Sequence, residues 1–191
     1  MSHLASIRQT LESWSPLSES QRVLRDDYLT FLQTTGAAGL ERAGDPRHLT
    51  ASCFVFSPDF RQILLCFHGK GNFWVQLGGH LEPDDASLAA AALRECREES
   101  GLEQLELLSP LPRDLDLHPL SSAFGSCRAH FDVGMAAIAD PTAPLVISSE
   151  SRDLRWWPVD GLPPTAAPSM PTRITQTLRE IRAQAELAAE A

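Results

Sequence analysis

Lysine is nearly absent from this chain. Lys70 is the only lysine among 16 basic residues, and the other fifteen are arginine. Tyrosine also occurs once, as Tyr28. Acidic residues outnumber basic ones by 25 to 16, which gives a formal net charge of −9. That balance argues against extended nucleic acid as a partner, because phosphate contacts along a strand need surplus Lys and Arg. It does not exclude a small anionic substrate, since a bound cation reverses the local sign of an acidic site.

Other absences narrow the field further. No apolar run approaches the roughly 18 residues of a membrane span, so no membrane association is expected. Met1-Ser2-His3-Leu4 has no basic start followed by an apolar stretch, so no signal peptide is expected. Only four cysteines occur: Cys53, Cys66, Cys96 and Cys127. They form no CxxC pair and no Cys/His zinc spacing. Cys53, Cys66 and Cys96 lie inside apolar patterns and read as buried thiols, and a reducing cytoplasm is the expected setting. Gly-rich phosphate loops and the Ser-elbow motif are missing as well.

What is present suits one folded domain with a real core: 191 residues, 43% of them hydrophobic. Leu4, Ile7, Leu11 and Trp14 recur at helical spacing until Ser15-Pro16 interrupts them. Val23, Leu24, Tyr28, Phe31 and Leu32 form a second helical stripe, ended by Gly36 to Gly39. This front section, residues 1–40, reads as a helical extension that packs on a domain of residues 41–191. It also offers a surface for a homodimer. From His48 the pattern turns to strands: Leu49 to Phe56, Ile63 to His68, and Phe73 to Leu77, the last ended by Gly78-Gly79. Ser87 lies among the N-cap candidates for a helix over Leu88 to Ser100, and Gly101 supplies its stop. Further strands are expected near Glu103–Leu108, Ala129–Ala137 and Leu154–Val159, and a last helix from Pro171 to about Leu187. Residues 109–127 and 139–151 read as loops with short ordered parts. The order of elements gives an α/β sandwich with a mixed sheet.

The chemistry concentrates in one helix. At 100° per residue, Glu95, Glu98 and Glu99 fall within about a 100° arc. Three carboxylates on one face repel each other, and a hard divalent cation such as Mg²⁺ relieves that repulsion with oxygen ligands. Arg94 can anchor a neighbouring carboxylate through a two-point pair. Gly78-Gly79 lets backbone approach the same place.

The string Gly79 to Leu102 resembles the Nudix box, G-x5-E-x7-R-E-U-x-E-E-x-G-U with U apolar. Arg94-Glu95-Cys96-Arg97-Glu98-Glu99-Ser100-Gly101-Leu102 fits its second half without a gap. Its first half departs twice: Asp85 stands in place of the first Glu, and eight residues separate it from Arg94 where seven are usual. Trp74 to His80, His48 to Ser52, Asp116-Leu117-His118, His130-Phe131-Asp132-Val133 and Ser149 to Asp160 resemble segments of one bacterial Nudix branch. The resemblance implies a Nudix-type α/β/α sandwich and hydrolysis of a diphosphate bond in a nucleoside diphosphate linked to another group. It implies Mg²⁺ (Mn²⁺ as a substitute) held by Glu95, Glu98, Glu99 and the Gly79 carbonyl, with Arg94 and Asp85 orienting the carboxylates. One glutamate or a carboxylate from a distant loop, Glu150 first among these, would act as base toward water. Lys70, His80, His118, His130 and Asp132 are candidates for substrate contact. The alternative is a Nudix-like module that binds a nucleotide and cleaves it weakly or not at all, a reading kept open by Asp85 and the extra residue.

Overall fold

The computed structural model describes residues 2–121 and 125–189. Two helices come first, α1 (His3–Ser13) and α2 (Glu19–Thr35), capped by the side chains of Ser2 and Ser18. A 3₁₀ turn, Gly36–Leu40, leads into the sheet. The strands are β1 (Arg47–Phe56), β2 (Gln62–His68), β3 (Phe73–Val75), β4 (Leu77–His80), β5 (Glu106–Leu107), β6 (Asp114–Pro119), β7 (Ala129–Ile138) and β8 (Ser151–Pro158). Helix α3 (Leu88–Ser100) lies between β4 and β5, and α4 (Met170–Ala189) closes the described chain.

The sheet is mixed. β1 and β7 pair in parallel over their whole length, and every other strand pairing is antiparallel. β1 divides its other edge: Val55 and Phe56 pair with β2, whereas Thr50 to Cys53 pair with β4. β6 lies against the opposite edge of β7, with Asp116 opposite Asp132 and His118 opposite His130. β1 is buried at every position except Arg47, as a strand covered on both faces must be.

Two apolar layers flank the sheet. Leu49, Ala51, Cys53, Val133 and Met135 pack against α1, α2 and α3. Phe54, Phe56, Ile63 and Leu65 pack with Met170 and Ile174 of α4. The small Ala91 and Ala92, both fully buried, let α3 sit close to the sheet. α1 and α2 belong to the same core. Phe31 stacks on Phe131 at 4.0 Å, and the Tyr28 hydroxyl donates to the Asp132 carbonyl at 2.9 Å. The Gln21 amide donates to the Leu115 carbonyl and accepts from the Leu115 N–H, completing backbone bonds that β6 would otherwise lack. The apolar stripe of these helices is therefore largely covered within the chain. Val23 is the exception, being 54% exposed.

Three local expectations change. Within residues 109–127, expected as loop with short ordered parts, Asp114–Pro119 is a six-residue strand of the sheet, and residues 122–124 lie outside the described residues. Its alternation of Asp and His with Leu hides a strand that carries charge on one face. Gly78 and Gly79 do not end a strand. They lie inside β4, opposite Ser52 and Ala51, where a Cβ on Gly78 would meet Ser52 Cα at 2.5 Å. The strand expected over 103–108 shrinks to Glu106–Leu107. The family's α/β sandwich with helices on both faces is otherwise the architecture observed.

Candidate active site

Helix α3 begins where Ser87 accepts from the Ala90 N–H, and it ends at the left-handed Gly101. This register turns Ala91, Ala92, Cys96 and Glu99 inward and leaves Glu98 at the rim. The expected common face is thus graded in depth. Glu99 is only 7% exposed. One of its oxygens accepts from the Gly78 N–H at 2.9 Å. Gly79 lies against Glu95: a Cβ there would come within 2.7 Å of all three atoms of the Glu95 carboxyl group. Only glycine brings the β4 backbone this near the carboxylate.

Arg94 ties the group together. Its Nε and Nη2 donate to the two oxygens of Asp85 at 3.1 and 3.0 Å. Nη1 donates to Glu95 at 3.0 Å and to Glu98 at 3.1 Å, and Nη2 also donates to the His80 carbonyl at 2.9 Å. Asp85 accepts from the Glu82 N–H as well, at 2.7 Å. It stands outside the helix, in the turn before Ser87, so the extra residue does not rotate it away. The shorter acid still makes a two-point pair with Arg94.

The charges are not balanced by the protein. Burial pushes the Glu99 carboxyl up to about 8, helped by the negative charges of Glu95, Glu150 and Glu98 and opposed by the Gly78 N–H. Burial also raises Glu95, against the pull of Arg94. Burial alone would raise Asp85, yet its bonds from Arg94 and Glu82 hold it below its ordinary value. A hard cation fits this arrangement: the donors are carboxylate and backbone oxygens, and their mutual repulsion is what a cation removes.

The other expected site residues separate. Glu150 is exposed in the turn before β8, and its charge reaches both Glu95 and Glu99. Lys70 is exposed in the turn after β2, and its charge is felt at His80. The rings of His48, His80 and His130 lie 5.0 to 5.3 Å apart, with His118 5.6 Å from His130. Burial, with neighbouring imidazoles, lowers His80 to about 4 and His130 to about 3. Trp74 is a core residue against Phe67 and Trp157.

Asp132, expected to contact substrate, is tied into the protein's own polar network. Its carboxylate accepts from Thr50, Ser52, Gln76 and Arg173 at 2.6 to 3.1 Å, and the residue is 3% exposed. Oδ1 accepts from Thr50, and Oδ2 accepts from the other three. Arg173 also donates to Asp114 at 2.6 Å and lies 3.5 Å from Asp116. Sequence reasoning missed this network. The only signal was the alternation Asp114-x-Asp116-x-His118, which puts three polar groups on one strand face.

A NUDIX domain model matches residues 46–178, well over half of the chain. The chain belongs to the Nudix family. Nudix enzymes cleave pyrophosphate bonds, and the chain is a Nudix pyrophosphohydrolase. Among solved structures, the chain is similar to an Ap4A hydrolase from C. elegans, with 16% identity and a TM-score of 0.59 over 71% of this chain and 98% of that one. A NUDIX-family hydrolase from Clostridium perfringens is 21% identical, with a TM-score of 0.54 over 72% of this chain and 98% of that one. The NUDIX domain of Shewanella oneidensis NrtR, complexed with ADP ribose, is 19% identical, with a TM-score of 0.53 over 73% and 92%. At these identities the likeness is one of fold. No curated protein matches the chain. Among the described residues, no helix is long and apolar enough to cross a membrane.

Proposed function

We propose that this Nudix domain hydrolyses the diphosphate bond of a small nucleoside diphosphate derivative with Mg²⁺, or Mn²⁺ in its place. The observation that supports it best is the Arg94 clasp. One guanidinium fixes Asp85, Glu95 and Glu98 while Glu99 is braced on the Gly78 N–H. Glu95, Glu98, Glu99 and the Gly79 carbonyl would hold the metal, which when bound neutralises diphosphate oxygens and the charge that develops as the bond breaks.

The side chains divide the remaining work. Glu98 is the exposed carboxylate of the three and can accept a proton from the attacking water. Glu150, which reaches the same centre from the loop before β8, is the second candidate for that step. Arg94 and Asp85 keep the carboxylates in place and do not touch the reacting atoms. Lys70 and His118 would contact the anionic end of a substrate. His80 and His130 form a cluster of their own with His48. A module that merely binds nucleotides loses its main motive here, since the departure at Asp85 leaves the Arg94 pair intact.

The direct experiment is product release from a panel of nucleoside triphosphates, nucleotide sugars, dinucleotide cofactors and dinucleoside polyphosphates, with and without Mg²⁺. Turnover of at least one class, abolished by chelation, is expected. Folded protein inactive on the whole panel with both Mg²⁺ and Mn²⁺ would count against the reading.

A further inference from the structure

A second cluster lies behind the Gly-Gly strand. His48 on β1 and His130 on β7 are direct register partners, and His80 follows Gly79 at the end of β4, opposite Thr50. Cys127 precedes β7 and is buried. One ring nitrogen from each of these histidines and the Cys127 sulfur all lie within 4.8 Å of one another.

The donors look unfinished. His48 is fully buried, and its Nδ1 lies 3.0 Å from the Asp45 carbonyl, which fixes the ring and leaves Nε2 as the basic nitrogen. The Nε2 atoms of His48, His80 and His130 are all buried without a hydrogen-bond partner. A buried orphan costs about 1–3 kcal/mol, and three of them facing one centre is a costly arrangement unless a ligand completes it. Core packing does not explain it, because isosteric apolar residues would avoid the cost.

We propose that His48, His80, His130 and Cys127 bind one borderline transition-metal ion of the zinc class, separate from the carboxylate site. Three imidazoles and one thiolate form a nitrogen–sulfur set suited to Zn²⁺ and poorly suited to Mg²⁺, which takes oxygen ligands. On binding, the rings coordinate as neutral imidazoles, and the Cys127 thiol releases its proton to solvent. The ion would cross-link β1, β4, β7 and the segment before β7. It would also steady the His80 carbonyl that receives Arg94, and so act on the catalytic centre as a positioning element.

Cobalt substitution tests this on the whole chain. Wild-type protein should take up Co²⁺ with a strong thiolate-to-cobalt charge-transfer band that one equivalent of Zn²⁺ abolishes. Cys127→Ser should lose the band while keeping the far-ultraviolet circular dichroism of the wild type, whereas Glu98→Gln should keep it. A wild type with no thiolate band at saturating Co²⁺, or a band that survives in Cys127→Ser, overturns the proposal. If Cys127→Ser does not fold, X-ray absorption at the zinc edge of the wild type decides: a shell of three nitrogens and one sulfur is expected. No bound zinc, or a shell without sulfur, overturns it.

Discussion

Two places in this molecule gather several carboxylates around one arginine, and they have opposite fates. At Arg94 the partners are Asp85, Glu95 and Glu98, with Glu99 beside them. At Arg173 they are Asp114, Asp116 and Asp132. Arg173, Asp114 and Asp132 are buried between the sheet and α4. The Arg173 guanidinium also lies over the Phe54 ring at 5.2 Å, and Thr50, Ser52 and Gln76 donate to Asp132 beside it. The Arg94 group stays open at Glu98, 57% exposed, and its deepest member, Glu99, accepts a single N–H. The same ingredients make a buried structural network at Arg173 and leave an open carboxylate group at Arg94, where we place the metal.

Substitutions separate the two groups. Glu98→Gln should cost the largest factor, about 10²–10⁴ in turnover, as expected for loss of a general base, with an unchanged melting temperature. Activity and thermal unfolding of the same sample check both halves. Arg173→Met should act in the reverse sense. It leaves Asp114 and Asp132 buried without their cation and should destabilise the fold by about 3–5 kcal/mol, read by denaturant unfolding. Asp85→Asn keeps the shape of the clasp and removes its charge. A loss of about 10–100-fold in Mg²⁺ affinity or turnover is expected, as for other groups that orient metal ligands. Titration of activity with Mg²⁺ measures it.

The smallest effect concerns pH. Burial pushes Asp114 up to about 7, against the pull of Arg173, because three acids share one cation. The folded state therefore keeps a proton that the unfolded chain releases near its ordinary value of 3.8. Stability from this group is full below the unfolded value and falls as pH rises through about 7. Asp114→Asn should flatten that part of the stability–pH curve, and unfolding titrations from pH 4 to 8 would show whether it does.

The same contrast explains what could be read in the sequence. The Arg94 group is local: residues 78 to 101 carry all of it except Glu150, and helical spacing plus the Gly-Gly pair place the parts. The Arg173 group joins residues 114, 132 and 173 through the antiparallel β6–β7 pair and helix α4, and no spacing along the chain reports such contacts. The His48–His80–His130–Cys127 cluster is hidden for the same reason. Its members lie on three strands and a connecting segment, so the absence of a Cys/His spacing excluded only a local zinc motif. β6 was missed because Asp114, Asp116 and His118 lower its hydropathy, although their alternation is that of a strand with one polar face. Gly78 and Gly79 read as a turn because glycine usually marks one. Here they are strand residues, required by the approach of Ser52 on one side and Glu95 on the other.

The claim that the open carboxylate group is the metal-dependent catalytic centre is tested most directly by Glu99→Gln. This substitution keeps the shape and the Gly78 hydrogen-bond acceptor but removes the deepest charge. The measurement is Mg²⁺-dependent diphosphate hydrolysis by the folded variant against wild type, on whichever panel compound the wild type turns over. Loss of nearly all turnover with native unfolding behaviour is the predicted result; full activity at the same Mg²⁺ concentration would contradict the account.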